Sequence, residues 1–393
     1  MTSEEGRSFR CSEQESTTGH QYSDTEHSLS GMPWGKLLPE RHPKMHPRVS
    51  STSHDEAFMG TPTAVHIPVG ASPGLVVVHP DDRRLYVSNV QSHSVSVLDG
   101  DCTTVTATVP VGRHPYELAV SPDGRRVYVA DSGSDTVSVI DTASDLVCAS
   151  VPVSSAASLA VSPDGQYVYA AQYRPGTVSV LDGDCTTVTA TVPVGRHPYE
   201  LAVSPDGRRV YVADSGSDTV SVIDTASSLV CATVHVGRGP VDVKASPDGR
   251  RVYVVNNGSD TVSVIDTAGY RIAATVPVGA GPLKSALLRD SRSVYVINAR
   301  SDTVSVIDTV GSSVAATIPV DETPYNLAAS PDGRSAYVVH YGPGTVSVVD
   351  SDCTAVTATA PVGLGPYGLA VARNGDHVYV ANSLSNTVSL ITL

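Results

Sequence analysis

The stretch SPDGRRVYVADSGSDTVSVIDT, residues 121–142, decides the fold of this chain of 393 residues. It contains two runs, RRVYVAD and TVSVID, in which Val, Ile and Tyr alternate with small or polar residues, and this period of two predicts β-strands. The SPDG at its start predicts a tight turn, because Pro fixes φ, Asp can bond its own backbone and Gly accepts a positive φ. The stretch therefore predicts a turn followed by two antiparallel strands.

Related stretches recur along the chain with a period of about 42 residues. The proline of the segment PVG, or its equivalent, stands at 68, 110, 152, 193, 277, 319 and 361, and His235 replaces it once, so the spacings are 42, 42, 41, 42, 42, 42 and 42. Eight copies are present, and each holds segments of the types VTATVPVG, PYELAV, RRVYVAD and TVSVID. Four short strands in a repeat of this length predict the blade of a β-propeller.

The segments VYVADSGSDTVSVIDT and VYVANSLSNTVSLI, together with SPDGRRVYV, resemble the YVTN-family β-propeller repeat of bacterial proteins. The resemblance covers residues 64–393. It implies that PYELAV is the innermost strand A of each blade, RRVYVAD strand B, TVSVID strand C and VTATVPVG the outermost strand D.

The order of these segments predicts how the ring closes. The array begins on a D-type strand, TAVHIPVG, and ends on a C-type strand, TVSLITL. We expect the N-terminal strand to complete the last blade, since this leaves no open sheet edge. The prediction is an all-β chain in which residues 62–393 form one propeller of eight four-stranded blades. The alternative is a ring of seven blades with one repeat left over, which could not bury its core alone.

Composition limits the remaining organisation. Residues 1–61 are rich in Ser, Thr, Glu, His and Pro and lack strand or helix periodicity, which predicts a disordered polar tail. The N-terminus lacks the basic and apolar segments of a secretory signal, so we expect a cytoplasmic protein rather than an exported surface protein. No run of 18 apolar residues appears, so no membrane span is expected.

Charge argues against nucleic acid as a partner, because the formal net charge is -14 whereas nucleic-acid modules usually carry a basic face. The few basic residues are mostly arginine. The only lysines are Lys36, Lys44, Lys244 and Lys284, and we interpret their scarcity as a bias of composition without a mechanistic meaning.

Two features identify positions that serve packing. Tyrosine occupies the same strand B position in every repeat, which predicts a packing role: Tyr86, Tyr128, Tyr169, Tyr211, Tyr253, Tyr295, Tyr337 and Tyr379. Residues 95–144 and 178–227 are identical over fifty positions. Because a unique catalytic group is not expected in duplicated blades, the blades that differ from the repeat are the place to look for a site.

In blades of this type the D-to-A and B-to-C loops emerge on one face, around the mouth of the central channel, where a function is expected. Strand B ends on polar residues that predict turn caps: Asn89, Asp131, Gln172, Asp214, Asn256, Asn298, His340 and Asn382. The residues that break the pattern are His340 and Tyr341 in one repeat, and Gln172, Tyr173 and Arg174 in the repeat four positions earlier. Two aromatic loops would then face each other across the channel.

The D-to-A loops add Tyr325 and Asn326, together with the duplicated His114 and His197. We predict that these residues and the two aromatic loops line a tyrosine-walled mouth that binds a small molecule or a peptide end, with Arg174 favouring an anionic group. The chain has no phosphate loop, HExxH or CxxC, so no metal and no cofactor is expected.

Two functions remain open at this point. The first is a noncatalytic scaffold that binds a small ligand, a peptide or a protein partner at the mouth. The alternative is a propeller enzyme, namely a lyase, isomerase or lactone hydrolase that acts on a small organic substrate in secondary metabolism. We rank the scaffold first, because near-identical blades argue against a finely differentiated catalytic site.

Overall fold

The computed structural model describes residues 64–101, 103–288, 292–350 and 355–393. All regular secondary structure in these residues is β-strand, arranged in eight four-stranded sheets. The tail predicted for residues 1–61 lies outside the described residues. Within the described ranges, no helix is present that is long and apolar enough to cross a membrane.

Each sheet is one blade, and its strands run in chain order from the axis outwards. Blades 1 to 4 consist of β2 (Pro73–Val78), β3 (Arg84–Asn89), β4 (Ser94–Asp99) and β5 (Val105–Pro110); β6 (Pro115–Val120), β7 (Arg126–Asp131), β8 (Thr136–Asp141) and β9 (Leu146–Pro152); β10 (Ala156–Val161), β11 (Tyr167–Gln172), β12 (Thr177–Asp182) and β13 (Val188–Pro193); and β14 (Pro198–Val203), β15 (Arg209–Asp214), β16 (Thr219–Asp224) and β17 (Leu229–His235).

Blades 5 to 8 repeat this order, except that the N-terminal strand completes the last of them. They consist of β18 (Pro240–Ala245), β19 (Arg251–Asn256), β20 (Thr261–Asp266) and β21 (Arg271–Pro277); β22 (Pro282–Leu287), β23 (Ser293–Asn298), β24 (Thr303–Asp308) and β25 (Ser313–Pro319); β26 (Pro324–Ala329), β27 (Ser335–His340), β28 (Thr345–Asp350) and β29 (Val356–Pro361); and β30 (Pro366–Val371), β31 (His377–Asn382), β32 (Thr387–Thr392) and β1 (Ala64–Pro68).

The ring closes through its two ends. Strand β1 pairs antiparallel with β32, and Ala64 lies opposite Ile391 in the register. The innermost strands β2 and β30 of blades 1 and 8 are in contact, as are those of the other neighbouring blades. The protein is therefore a single eight-bladed β-propeller. The predicted blade count and closure are confirmed, and the seven-bladed alternative is excluded.

The hydrophobic core lies between adjacent blades rather than inside one. Tyr128 and Val139 of blade 2, for example, form one cluster with Leu159 and Leu181 of blade 3. The hydroxyl of Tyr128 donates a hydrogen bond of 2.5 Å to the carbonyl oxygen of Gly183 in the next blade. The predicted packing role of the strand B tyrosines is confirmed, because each ring is buried between two sheets while its polar end can bond the neighbouring blade.

Candidate binding site in the axial channel

The loops before strand A and after strand B lie on the same face of the propeller. In blade 2, the first residue of β6, Pro115, pairs with the last residue of β7, Asp131. The residue before strand A has a left-handed backbone in every blade: Ser72, His114, Ser155, His197, Gly239, Gly281, Thr323 and Gly365. Six blades use Gly, Ser or Thr at this position, so His114 and His197 occupy a turn position that the fold requires.

Tyrosine side chains from the second position of the inner strands meet in the channel. Tyr325 donates a hydrogen bond of 2.6 Å to the hydroxyl of Tyr367, and the hydroxyl of Tyr116 also bonds that of Tyr367. Tyr116 belongs to blade 2 and Tyr367 to blade 8, and blade 1 lies between them. A bond between blades that are not neighbours shows that these side chains extend into the channel. Tyr199 occupies the same position in blade 4 and is buried.

Charged side chains of the inner strands form a second group in the channel. The ammonium group of Lys284 lies 2.6 Å from the carboxylate of Glu200 and 3.6 Å from that of Asp242, and Lys244 lies 3.0 Å from Asp242. The hydroxyl of Ser158 donates a hydrogen bond of 3.2 Å to Glu200. Glu200 and Lys284 come from blades 4 and 6, so this ion pair also reaches across the inner strand of an intervening blade.

The accessible surface of these groups fits a channel lining. Asp242 is fully buried, whereas the side chains of Lys284 and Lys244 remain 33% and 35% exposed although they lie on innermost strands. Burial alone would raise the pKa of Asp242, but Lys244 and Lys284 outweigh it and lower that pKa. Burial would lower the pKa of Lys284, but Glu200 and Asp242 outweigh it and hold that pKa well above its ordinary value. Lys244, Lys284 and Asp242 are therefore ionised at neutral pH.

Glu117, the third residue of β6, lies in the same channel without such a partner. Among the described residues no lysine or arginine is within ion-pair distance of its carboxyl group. Burial, together with the negative charge of Glu200, raises the pKa of Glu117 to about 8, although Lys284 and Lys244 oppose the shift. Glu117 is consequently protonated for the most part at neutral pH, and it can donate a hydrogen bond.

The structure places Gln172 and His340 inside the blades. The Gln172 side chain accepts hydrogen bonds from Thr177 and Ser179 of the neighbouring strand C, at 2.7 and 2.9 Å. The Nε2 atom of His340 lies 2.9 Å from the hydroxyl of Ser347, and His340 is fully buried, which lowers its pKa. The polar ring at the end of strand B thus ties strand B to strand C hydroxyls. His340 and Gln172 belong to that ring and are buried, whereas the sequence analysis predicted that they line the channel mouth.

Other residues predicted for the mouth form two separate groups. The rings of Tyr173 and His197 stack with centroids 4.6 Å apart and an interplanar angle of 10°. The rings of Tyr341 and Tyr325 lie 6.2 Å apart. Arg174 is exposed on the loop of blade 3.

The last two predicted residues have local partners. His114 lies against His93 of the preceding blade, with ring centroids 5.1 Å apart, and burial is the first cause that lowers its pKa. The side-chain amide of Asn326 donates a hydrogen bond of 3.4 Å to the backbone carbonyl of Tyr367. Asn326 therefore supports the strand that carries a channel tyrosine.

The sequence analysis missed Asp242, Lys244 and Lys284. The signal was present, because Lys244 and Lys284 are the only lysines in residues 64–393, and all three residues interrupt the inner-strand pattern PYELAV. We interpreted the scarcity of lysine as a bias of composition, and we looked for site residues in the loops rather than on the innermost strands. The structure shows that both lysines of the propeller lie in its channel.

The described residues contain no group of three or more His, Cys, Asp and Glu side chains that could hold a metal ion. Cys148, Cys185 and Cys231 are free thiols. The channel instead combines aromatic rings, phenolic hydroxyls, one protonated carboxylic acid and paired charges. Such a set can bind a small polar molecule through hydrogen bonds and ring contacts, or transfer a proton from Glu117.

Three family models match parts of the chain, and two of them describe β-propellers. Residues 147–277 match "Lactonase, 7-bladed beta-propeller", residues 81–202 match "Cytochrome D1 heme domain", and residues 249–340 match "YNCE-like beta-propeller". Each match covers less than half of the chain. No curated protein sequence is similar enough to count as a match.

Solved structures of similar fold support the same class. Hydrazine synthase of Kuenenia stuttgartiensis has a TM-score of 0.57 at 24% identity and covers 88% of this chain and 99% of its own. The dihydro-heme d1 dehydrogenase NirN, solved in complex with DHE, has a TM-score of 0.65 at 20% identity, over 84% of this chain and 78% of its own. A functionally unknown protein from Desulfotomaculum acetoxidans has a TM-score of 0.55 at 16% identity, over 64% and 86%. These similarities show the propeller fold alone, and the YVTN assignment stays a prediction.

Proposed function

We propose that this protein is a binding propeller that takes a small polar molecule, or the end of a peptide, into the mouth of its axial channel. The observation that carries the proposal is the meeting of the Tyr116, Tyr325 and Tyr367 hydroxyls in the channel. The second position of the inner strands is Tyr in four blades and Gly, Ala, Val or Leu in the other four, so the packing of a blade does not require tyrosine there. A cluster that the fold does not demand supports a role in recognition.

The rim of the mouth supports the same proposal. Tyr173 stacks on His197 and Tyr341 lies beside Tyr325, so aromatic side chains are held in place before any ligand arrives. Held rings offer flat contact area at a low cost in conformational entropy. Arg174 is exposed at this rim and would favour a ligand that also carries an anionic group.

A second candidate function is a propeller enzyme, such as a lyase, isomerase or lactone hydrolase. Glu117 favours it, because a carboxyl group with a pKa of about 8 is protonated near neutral pH and could act as a general acid. The match of residues 147–277 to the lactonase model is consistent with this candidate at the level of the fold. We rank it second, because Glu117 lies in a duplicated segment, and the Ser–His hydrogen bonds His66–Ser389 and His340–Ser347 join strands within a blade rather than groups of the channel.

The proposal is tested by screening polar small molecules and short peptides with ligand-observed NMR. For any ligand found, Tyr325→Ala should weaken binding by about tenfold or more, since it removes a ring and a hydroxyl from the channel. Tyr167→Ala is the matched control, because Tyr167 is an exposed tyrosine at the start of strand β11, the end of that strand that lies away from the channel mouth. Equal weakening by both variants, or by neither, would exclude the channel mouth as the site.

The enzyme candidate is separated from the scaffold by one further measurement. Substrate turnover, followed as acid release from a panel of small lactones, should be absent in the scaffold. If turnover is present and Glu117→Gln removes it while ligand binding persists, the enzyme is the correct function.

A further inference from the structure

The channel holds more carboxyl groups than ammonium groups. The channel cluster contains the carboxyl groups of Glu117, Glu200 and Asp242 but only the ammonium groups of Lys244 and Lys284. The ion pairs assign Lys284 to Glu200 and Lys244 to Asp242. One carboxyl group, that of Glu117, is left without a cation.

Glu200 shows what the missing cation would do. Glu117 and Glu200 lie at equivalent places in two identical segments, and both are the third residue of an inner strand that reads PYELAV. An ammonium group lies 2.6 Å from Glu200. The same inner-strand geometry at Glu117 therefore offers a carboxyl group that an ammonium group can approach, but none of the described residues supplies one there.

We propose that the axial channel binds a small organic cation whose ammonium group pairs with the Glu117 carboxylate beside the rings of Tyr116 and Tyr367. This inference rests on the proposed function and names the class of its ligand. Tyrosine rings attract cations through their π faces, and they do so most strongly where water is excluded. The net charge of -14 adds a long-range field that favours cations over anions at any opening of the protein.

Binding of such a cation would release a proton. The groups that act on Glu117 are Glu200 from β14, Lys284 from β22, Lys244 from β18 and Tyr367 from β30. Burial and Glu200 keep the empty site protonated at neutral pH. The acid must ionise to pair with an ammonium group, so its proton passes to the buffer. The positive charge of the ligand then neutralises the Glu117 carboxylate in place of the proton.

The first experiment uses the full chain and two probes of equal shape, butylammonium and the neutral butan-1-ol, in isothermal titration calorimetry. Butylammonium should bind and butan-1-ol should not bind measurably. Between pH 5 and 7 the affinity should rise about tenfold per pH unit and level off above about pH 8, because the probe stays charged while Glu117 titrates. At pH 6.5, titrations in phosphate and in a zwitterionic buffer of different ionisation enthalpy, such as ACES, should show the release of about one proton per site. Equal binding of the two probes, or no proton release, would overturn the inference.

The second experiment uses variants. Glu117→Gln should weaken butylammonium binding by at least tenfold above pH 8 and remove both the pH dependence and the proton release. Glu322→Gln is the matched control, because Glu322 is the third glutamate of residues 64–393, after Glu117 and Glu200, and is exposed on the same face; it should change the affinity less than twofold. If Glu117→Gln binds butylammonium as wild type does, the inference is wrong.

The experiments distinguish a failure of the cation inference from a failure of the proposed function. If butylammonium fails to bind but another polar ligand binds and is weakened by Tyr325→Ala, the cation inference is overturned and the binding propeller stands. If no ligand in either screen binds, both are overturned.

Discussion

Residues 95–144 and residues 178–227 have the same sequence but lie at two different places in the ring, with different neighbouring blades. At the end of strand B the two segments make the same hydrogen bond. Ser138 donates a hydrogen bond of 2.5 Å to the buried carboxylate of Asp131, and Ser221 donates one of 2.7 Å to that of Asp214. Local geometry in this propeller therefore follows local sequence closely.

The segments differ where side chains leave their own blades. Glu200 pairs with Lys284, whereas Glu117 has no ion-pair partner among the described residues. His197 stacks on Tyr173, whereas His114 lies against His93. What a repeated side chain can do is thus decided by the blades that face it, and a duplicated blade can hold two chemically different groups.

The largest expected effect comes from breaking the pair that only the second segment has. Glu200→Gln leaves Lys284 with the more distant Asp242 as its only carboxylate partner. We expect the free energy of unfolding at pH 7 to fall by about 3 kcal/mol, because a charge in the channel loses its closest partner. Urea denaturation measures the change.

The matched control is the same substitution in the first segment. Glu117→Gln should raise the free energy of unfolding at pH 7 by about 1 kcal/mol, because wild type must take up a proton on folding at this pH whereas glutamine needs none. Equal costs for the two variants would show that the identical segments also have identical surroundings, which would contradict the comparison.

The next effect appears when the pH is raised. The pKa of Glu117 is about 8 in the folded state and 4.5 in the unfolded state, so folding favours the protonated acid. That stabilisation is complete below about pH 4.5 and is lost as the pH rises towards and through 8. Glutamine cannot ionise, so Glu117→Gln should be more stable than wild type at pH 9 by about 2 kcal/mol. This is less than the full free energy that the pKa shift implies, because water in the channel screens the charge of the ionised glutamate. Denaturation at pH 5, 7 and 9 measures it, and a gap that does not widen with pH would exclude a protonated Glu117.

How far the sequence predicts the structure follows from the same comparison. The period, the strand patterns and the D-type start predicted eight blades closed by β1, because a blade needs only its own residues and its neighbours to fold. The ring of strand B tyrosines was predicted for the same reason. These features depend on contacts that every repeat makes in the same way.

The site depends on contacts that only some repeats make. The bond between Tyr116 and Tyr367 and the pair of Glu200 with Lys284 skip a blade, and no periodicity in the sequence predicts which side chains meet in the channel. His340 misled the sequence analysis in the opposite direction. It breaks the repeat, yet it is fully buried and bonds Ser347 as its equivalents bond their own strand C hydroxyls.

A smaller effect should be equal in both segments. Burial raises the pKa of Asp131 and of Asp214 to about 6 from 3.8. Folding therefore favours the protonated acid at both positions. This contribution to stability is complete below about pH 3.8 and is lost as the pH rises through 6. Asn occupies the equivalent position in four other blades. We expect Asp131→Asn and Asp214→Asn each to raise the free energy of unfolding at pH 7.5 by about 1 kcal/mol.

The gain from these two variants should disappear at pH 4, where the wild-type acids are protonated. Thermal unfolding at both pH values measures it. Unequal gains from Asp131→Asn and Asp214→Asn would mean that residues outside the two segments affect even this buried position. That result would contradict the conclusion that local geometry follows local sequence.

The smallest effect separates the two histidines. Tyr173→Ala removes the ring that stacks on His197 and leaves His114 with its own neighbour, His93. Because one exposed aromatic pair contributes about 0.5–1.5 kcal/mol beyond area, we expect a loss of less than about 1 kcal/mol in the free energy of unfolding. The ring-current shift of the His197 protons should vanish in the NMR spectrum, while the His114 signals stay in place. Movement of both histidine signals would mean that the two copies of the turn are coupled through the ring, and that the rim of the mouth responds as one unit rather than blade by blade.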